Sequence, residues 1–289
     1  MQEPLINWKA LMSMVNPPRP PVRPVDGVNM WDKEAASYNK MSALEAELTE
    51  NQVRALPLRP EDTVLDLGCG CGRLTVPIAK RVRAVTAMDS SERMLENCMA
   101  NAAAAGCENV TPLFLDFFEA EAGVNVPVHD VAFVSRSAAL GDLEKVSTFA
   151  SRIAAALIFA NAPSIPELLG ELFRGTAEAP PQHPGRPMRP RTDRRLAYNV
   201  MWNTVYDLGY EPNVAIVEDG FRQVYATPEE ACDDLRMLSK QEIVHEDIYR
   251  ENVLRFLSQR EDGNWQLFLK TRTAVLWWET HPERFFKEL

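Results

Sequence analysis

Residues 63–72 constrain the fold of this chain more than any other stretch of its 289 residues. The apolar segment 63–67 is followed at once by Gly68, Gly70 and Gly72, with a helical pattern behind them. A strand that runs into a glycine turn and then a helix allows the backbone to approach a bound ligand closely. The pattern therefore predicts a ligand site at the carboxyl end of a buried strand.

Strands and helices alternate beyond this turn. Strands separated by helical stretches of about ten to fifteen residues indicate βαβ units and a parallel sheet with right-handed crossovers. We expect an α/β fold with a doubly wound, mostly parallel sheet. The expected strands are 63–67, 84–88, 110–115, 130–134 and 152–159, and the expected helices among them are 73–81 and 91–105.

The spacing of the glycines distinguishes two kinds of ligand. A dinucleotide site uses Gly-x-Gly-x-x-Gly to hold a pyrophosphate, and a carboxylate inside the strand would work against that anion. Here the spacing is Gly-x-Gly-x-Gly, and Asp66 lies two residues before the first glycine. A carboxylate in that position suits a cationic ligand end, such as an amino-acid ammonium beside a sulfonium.

Two further carboxylates follow the next two strands. Asp89 can accept hydrogen bonds from both hydroxyls of a ribose, and Asp116 can accept one from an adenine amino group. Taken alone, a carboxylate placed like Asp89 is more often a helix cap, and one placed like Asp116 is more often a turn residue. Their joint placement with Asp66 after three successive strands favours a ligand site, because open α/β sheets bind ligands at this edge.

Residues 31–161 resemble a class I S-adenosylmethionine-dependent methyltransferase of the small-molecule type. The resemblance implies a Rossmann-like sheet of seven strands with the last one antiparallel, and S-adenosyl-L-methionine as cofactor, with S-adenosyl-L-homocysteine as product. It implies that the three acids hold the methionine part, the ribose and the adenine, under a covering helix. The residues that it assigns to the cofactor are Trp31, Tyr38, Asp66, Gly68, Cys69, Gly70, Gly72, Asp89, Ser90, Met94, Asp116, Phe117 and Ser135.

Four segments describe the domain organisation that we expect. They are a Pro-rich strap (1–30), the cofactor-binding core (31–161), cap or substrate-binding insertions with the sixth strand (162–272), and the closing antiparallel strand with a tail (273–289). Helices are expected from residue 31, over 43–55, around residues 198–206 and twice within 228–259. Strands are expected at 214–217, with less support at 221–225, and at 273–278, the last paired with 214–217.

The sequence constrains the site of the methyl acceptor less than the cofactor site. Strand polarity places His129 and His281 at the far edge of the sheet, which leaves His183 and His245 as candidates for a general base, and no base can be assigned. An arginine-rich loop can neutralise an anionic acceptor, although a solvated loop explains it as well. The substrate candidates are Arg191, Arg194, Arg195, Tyr198 and Trp202.

Composition narrows the class of partner. A net charge of −10 disfavours a nucleic-acid backbone, and the five cysteines indicate reduced thiols without a metal site. No membrane span or leader is evident, so we expect a cytoplasmic enzyme acting on a small-molecule acceptor, with a homodimer left open. The alternatives are an RNA or protein methyltransferase, a non-catalytic cofactor-binding module and, against the glycine spacing, a nicotinamide-dependent oxidoreductase.

Overall fold

The computed structural model describes residues 6–15, 29–160, 163–178 and 197–281. Its strands are β1 (Thr63–Leu67), β2 (Ala84–Asp89), β3 (Val110–Phe114), β4 (His129–Ser135), β5 (Ala150–Phe159), β6 (Asn213–Tyr225), β7 (Leu257–Gln259) and β8 (Trp265–Glu279). Its α-helices are α1 (Trp8–Val15), α2 (Met30–Ala55), α3 (Thr75–Ala79), α4 (Glu92–Ala104), α5 (Leu143–Thr148), α6 (Ile165–Leu172), α7 (Tyr198–Asp207), α8 (Pro228–Arg236) and α9 (Glu246–Leu254).

The described strands form one sheet in the order β3-β2-β1-β4-β5-β8-β6, and the short β7 pairs with β8. Strands β1 to β5 are mutually parallel, and β8 runs antiparallel to both of its neighbours. The predicted doubly wound, mostly parallel sheet with an antiparallel last strand is confirmed, with β7 as an additional short strand. Strand order reverses between β1 and β4, which opens a crevice at their carboxyl ends.

Both faces of the sheet are covered, which explains why its central strands are apolar on both sides. On one face, the sheet packs against α3, α4 and the C-terminal part of α2. On the other face, it packs against α1, α5 and α7. With the helices filling both faces, a ligand can reach the sheet only at an edge, and the carboxyl edge carries the glycine turn.

The sequence pattern predicts a separate second helix over 43–55, and this is wrong, because α2 is one helix from Met30 to Ala55. No glycine or proline interrupts this stretch. Its polar middle contacts other parts of the protein: Asn101 on α4 donates to Asn39, and Lys40 pairs with Asp234 on α8. The polar residues in the middle of α2 therefore hold the helix to its neighbours.

Strands β6 and β8 are longer than the sequence pattern predicts. The predicted strands 214–217 and 221–225 are one strand, which continues through Gly220, where a Cβ would collide with the carbonyl of Leu269. Residues 218–225 pair with 265–272 beyond the end of β5, and we call this extension the cap ribbon. It packs with α6, α8 and α9 into a separate apolar core that includes Leu44 of α2. These elements form the cap above the carboxyl edge.

Part of the predicted strap 1–30 is not extended, because residues 8–15 form α1, which packs Met12 into the core on one face of the sheet. The proline-rich stretch 17–24 and the arginine-rich segment within 179–196 lie outside the described residues. Among the described residues, no helix combines the length and the apolar character that crossing a membrane requires.

Candidate cofactor site

The glycine turn after β1 is built to approach a ligand. Gly68, Gly70 and Gly72 have φ angles of +82°, +55° and +85°, a region that favours glycine. The backbone N–H of Gly68 donates to the carbonyl of Met88 on β2 at 2.8 Å, which fixes the turn to the sheet. A Cβ at Gly68 would lie 2.6 Å from that of Ser137, whereas one at Gly70 would meet no described atom within 4 Å. The turn is therefore packed at its first glycine and open at its second.

Asp66 lies directly below this turn and is 2% exposed. Its carboxylate accepts a hydrogen bond from the hydroxyl of Thr75 at 2.7 Å. Burial raises the pKa of Asp66 to about 7, although Thr75 and the guanidinium of Arg73 act in the opposite direction. A buried carboxyl with so little compensation destabilises the fold, which indicates a role other than stability.

Asp89 lies at the carboxyl end of β2 and is half-buried beside the turn. One carboxylate oxygen accepts from the backbone N–H of Gly70 at 2.9 Å, and the other from that of Ser91 at 3.0 Å. Burial raises the pKa of Asp89, and these backbone donors partly offset the effect. Because each carboxylate oxygen can accept two hydrogen bonds, both retain capacity for hydroxyl groups of a ligand.

The N-terminal end of α2 is fastened to the turn that follows β2. The side chain of Asn29 caps α2 by accepting from the N–H of Trp31 at 3.0 Å, and it donates to the carbonyl of Ser90 at 2.7 Å. One turn of helix further on, Asp32 accepts from the hydroxyl of Ser91, the N-cap of α4. These contacts hold α2 against the turn that carries Asp89.

A small apolar cluster lies between α2 and the glycine turn. Trp31 and Tyr38 meet edge to face, with ring centroids 5.5 Å apart, and pack on buried Ala35, Cys71 and Met94. The sulfur atoms of Cys71 and Met94 are 3.4 Å apart. The structure thus brings together three of the residues that the resemblance places around the cofactor, namely Trp31, Tyr38 and Met94.

The third acid is in a different setting. Asp116 follows β3 and accepts from the backbone N–H of Phe118 at 2.8 Å, as a turn residue does. Phe117 is buried in the core, with its ring centroid 6.4 Å from that of Phe149, and the ammonium of Lys145 lies 4.9 Å from its centre. These contacts account for both residues structurally, and the adenine role that the resemblance gives them stays a prediction.

Sequence reasoning missed a chain of buried charges at the carboxyl edge. Arg73, which follows the glycine turn, donates to the hydroxyl of Ser135 at 2.8 Å and lies 3.6 Å from the carboxylate of Glu45 on α2. The same oxygen of Glu45 is 2.6 Å from a nitrogen of Arg136, which also pairs with Asp219 on β6. We call Arg73, Glu45, Arg136 and Asp219 the edge ion chain.

The charges of the edge ion chain compensate one another. Asp219 is fully buried, and although burial alone would raise the pKa of its carboxyl, Arg136 and Arg73 hold that pKa below its ordinary value. Arg136 is also the one non-glycine residue with positive φ, at 55°, in the part of the chain described. Side chains rarely adopt this backbone conformation outside functional or over-determined sites, and here the ion pairs hold it.

The candidates for the acceptor side are less clearly placed. His245 precedes α9 in the cap and is exposed. On α7, Trp202 donates to the carbonyl of Pro212 at 3.0 Å and stacks on Tyr206 at 5.5 Å, and Tyr198 is half-buried at the start of the helix. These contacts account for Trp202 as a packing residue, without a substrate. Four candidates lie outside the described residues: His183, Arg191, Arg194 and Arg195.

The remaining two histidines lie where strand polarity predicts them. His129 begins β4, and His281 follows β8. His129 has both ring nitrogens engaged, at 2.8 Å from the hydroxyl of Thr86 and 2.7 Å from the carbonyl of Pro127, and burial lowers its pKa. Its ring is therefore committed to the amino edge of the sheet.

Comparison with known proteins agrees with this geometry. Residues 64–157 match the family model of a methyltransferase domain. The chain is 38% identical over 65 residues to the 23S rRNA (uracil(1939)-C(5))-methyltransferase RlmD of Photobacterium angustum, over 22% of this chain and 30% of that protein. It is 37% identical over 59 residues to the "Probable cobalt-precorrin-6B C(15)-methyltransferase (decarboxylating)" of Methanococcus vannielii, over 19% of this chain and 33% of that protein.

The match to these curated relatives thus extends over about a third of their length. Among solved structures, the cyclase SpnF is 12% identical, with a TM-score of 0.50 over 86% of this chain and 94% of that one. This likeness shows the fold alone. The family match covers β1, the glycine turn, Asp89 and β4, which are the elements that build the site. Over residues 64–157 the chain therefore matches a methyltransferase domain, the kind of enzyme domain that its glycine turn and carboxylates predict.

Proposed function

We propose that this chain transfers a methyl group from S-adenosylmethionine to a small-molecule acceptor. The observation that carries the proposal is the arrangement around Gly70, which is open toward a ligand while its backbone N–H is bonded to Asp89. The glycine turn, the carboxylate of Asp89 and the covering helix meet at the carboxyl edge of the sheet, the edge where an open α/β sheet binds its ligand.

The residues present fit the cofactor. Asp66 would pair with the ammonium of the methionine part, and such pairing would offset the burial that now raises its pKa. Asp89 would hold the ribose hydroxyls with its remaining acceptor capacity, while Trp31, Tyr38 and Met94 would cover the adenosine. Asp116 would accept from the adenine amino group after losing or sharing its bond to the N–H of Phe118.

When bound, the cofactor supplies an electrophilic methyl group on a positively charged sulfur. The contribution of the chain is to hold that end in the crevice near Ser135 and to exclude water with α2 and the cap. A thiolate or a neutral amine needs only in-line positioning, whereas a hydroxyl acceptor needs a base, for which His183 and His245 remain candidates. The substrate roles of Arg191, Arg194, Arg195, Tyr198 and Trp202 belong to the same proposal.

The charge of the cap supports a small acceptor over a polyanion. Helix α8 has four acidic residues and one basic residue, and α9 has three and one. A nucleic-acid backbone binds through many lysine and arginine contacts to phosphate, which these two helices would oppose.

RNA remains the second candidate, because several curated relatives are named as 23S rRNA methyltransferases. Their names therefore count against the expectation that a nucleic-acid acceptor is disfavoured. The match to the first of them covers 22% of this chain, so it leaves most of the chain outside the comparison. The nature of the acceptor has to be decided by experiment.

The acceptor can be identified with S-adenosylmethionine labelled at the methyl group. The purified protein would be incubated with a cell extract separated into small-molecule, RNA and protein fractions, with Asp89→Ala as the matched control with weakened cofactor binding, at a low concentration of the methyl donor. We expect label in the small-molecule fraction with the wild-type protein alone. Label in RNA or protein would overturn the small-molecule acceptor and retain the methyltransferase, and label in none would support a non-catalytic module.

The cofactor can be tested separately by thermal melts. S-adenosylhomocysteine should raise the melting temperature, whereas NAD should not, because only a ligand that binds the native state stabilises it. A melt raised by NAD and unchanged by S-adenosylhomocysteine would refute the cofactor assignment.

A cytoplasmic setting is part of the same proposal. All five cysteines are free and buried in the structure, which suits a reducing compartment. Size-exclusion chromatography with light scattering would show whether the protein is a homodimer.

A further inference from the structure

Arg136 contacts four elements that meet above the carboxyl edge. Its guanidinium pairs with Glu45 of α2 and with Asp219 of β6, and it donates to the hydroxyl of Thr273 on β8 at 3.3 Å. The same group lies 4.0 Å from the ring centre of Phe159, the last residue of β5. One side chain thus joins the covering helix to the base of the cap ribbon.

The residues on either side of Arg136 contact the cofactor turn. Ser135 accepts from Arg73, the first residue after Gly72. Ser137 donates to the carbonyl of Leu67 at 2.8 Å and packs against Gly68. The backbone of Arg136 therefore lies between two hydroxyls that fix the glycine turn, while its side chain reaches away to the cap.

The carboxylate of Glu45 connects the contacts that Arg136 makes with the cap to the contacts around the glycine turn. A single oxygen of Glu45 lies near both Arg73 and Arg136, at 3.6 and 2.6 Å. Glu45 and Asp219 are 5% and 0% exposed, and Glu45 lies near both guanidinium groups, so moving Arg136 would leave the carboxylate of Asp219 without its ion pair. Arg136 consequently ties α2 to the cap ribbon, and Glu45 extends this link to Arg73 beside the turn.

We propose that Arg136 is a positioning residue that couples occupancy of the glycine turn to the closed arrangement of the cap ribbon over the acceptor side. The inference rests on the proposed function and goes beyond it, because it assigns to the edge ion chain the alignment of the cap with the cofactor. Lysine cannot replace arginine here, since an ammonium is a single point of charge and the planar guanidinium uses two nitrogens for two carboxylates.

Hydrogen exchange measured by mass spectrometry tests this coupling without knowledge of the acceptor. In the wild-type protein, S-adenosylhomocysteine should slow exchange both in the glycine turn and in the cap ribbon, residues 218–225 and 265–272. In Arg136→Lys, protection of the turn should remain and protection of the ribbon should be lost. The matched control is Arg250→Lys, which alters an exposed ion pair with Glu229 within the cap and should behave as wild type.

Each other outcome has a defined meaning. Ribbon protection that is absent in the wild type, or unchanged in Arg136→Lys, overturns the coupling. If Arg136→Lys does not fold, the pair Arg136→Gln with Asp219→Asn removes both buried charges and is judged by the same criterion. Loss of ligand binding in both folded variants also overturns it, because a coupling residue leaves the contacts of the turn intact. Failure of the wild-type protein to bind S-adenosylhomocysteine refutes the proposed function, and the coupling with it.

Discussion

Asp66 illustrates at the scale of one residue how a ligand site can oppose stability. The carboxyl is buried below the glycine turn with Thr75 as its hydrogen-bond donor, and its pKa rises to about 7. The folded state binds the proton of Asp66 more tightly than the unfolded chain does, because the pKa is higher in the folded state. The protonated carboxyl therefore contributes stability at low pH, and this contribution is lost as the pH rises from about 4 to 7. Keeping the group ionised at pH 8 costs the fold roughly 4 kcal/mol.

Asp66→Asn should remove this cost. We expect the free energy of unfolding of the variant to exceed that of the wild type by up to roughly 4 kcal/mol at pH 8, with the difference shrinking toward pH 5. Urea unfolding at several pH values measures it. Affinity for S-adenosylhomocysteine should fall at the same time. A difference in stability that does not depend on pH would refute the ionisation argument.

Asp89 is expected to contribute affinity directly. Truncation in Asp89→Ala should weaken binding of S-adenosylhomocysteine by about 2–3 kcal/mol, since hydrogen bonds to a charged group are each worth roughly 1.5–3 kcal/mol and overlap. Titration calorimetry on the folded variant measures this affinity, and an unchanged value would exclude the ribose role of Asp89. Asp116→Ala should cost less, because the adenine amino group is a neutral donor.

Single residues also show what the sequence could and could not reveal about the site. The placement of Asp66, Asp89 and the glycines was predictable, because each lies within or directly after a strand recognisable from its own apolar run. The edge ion chain was not, since Glu45 and Asp219 lie far apart in the sequence and only the path of α2 brings them together. The positive φ of Arg136 could not be predicted either, because arginine rarely adopts this backbone conformation and nothing in the sequence marks the exception.

Among the secondary-structure elements, α2 has two functions. Its N-terminal end is capped by Asn29, which also holds the turn beside Asp89, and its middle contributes Leu44 to the core of the cap. A helix anchored at both the cofactor turn and the cap should influence how fast the cofactor leaves.

Asn29→Ala should therefore lower stability and accelerate release. Loss of an N-cap costs about 1 kcal/mol, and the free end of α2 should open more often. Stopped-flow measurement of S-adenosylhomocysteine dissociation would show a faster rate than in the wild type. The matched control is Ser164→Ala, which removes the capping box of α6 in the cap. Equal acceleration in both variants would mean that global stability, and not the end of α2, governs release.

Prediction at the element scale succeeded for the parallel strands and failed for elements whose limits depend on distant partners. Strands β1 to β5 carry their own apolar runs and were predicted to within two residues. The polar residues 218–220 were interpreted as the end of a strand, yet pairing with β8 carries β6 through them. Similarly, the polar middle of α2 is helical because α4 and α8 supply its partners.

At the scale of the whole molecule, the carboxyl edge of the sheet carries the candidate site, whereas a buried ion pair on the amino edge contributes to stability. On the amino edge, Asp62 pairs with Arg152 of β5 and accepts from the backbone N–H of Arg59 at 2.7 Å. Asp62 is 3% exposed, so its removal leaves a largely buried guanidinium without its partner.

Asp62→Ala should consequently cost roughly 3 kcal/mol of stability, with no change in affinity for S-adenosylhomocysteine at a temperature where the variant is folded. Urea unfolding and calorimetry on the same preparation measure the two quantities. A loss of affinity in the fully folded variant would contradict the division between the edges.

The position of β8 has a consequence for how the protein is made. This strand follows β6 and β7 along the described chain, yet it lies between β5 and β6 and supplies the only described pairing of each on that side. On a ribosome, the half of the sheet that carries the glycine turn can assemble as soon as β5 has emerged, whereas β6 has no partner until residue 265 and beyond are released. During that interval the apolar edge of β5 is open to pairing with other chains. The nascent protein can thus form the half of the sheet that carries the glycine turn before it forms the cap ribbon, and it is open to aggregation in the interval between the two.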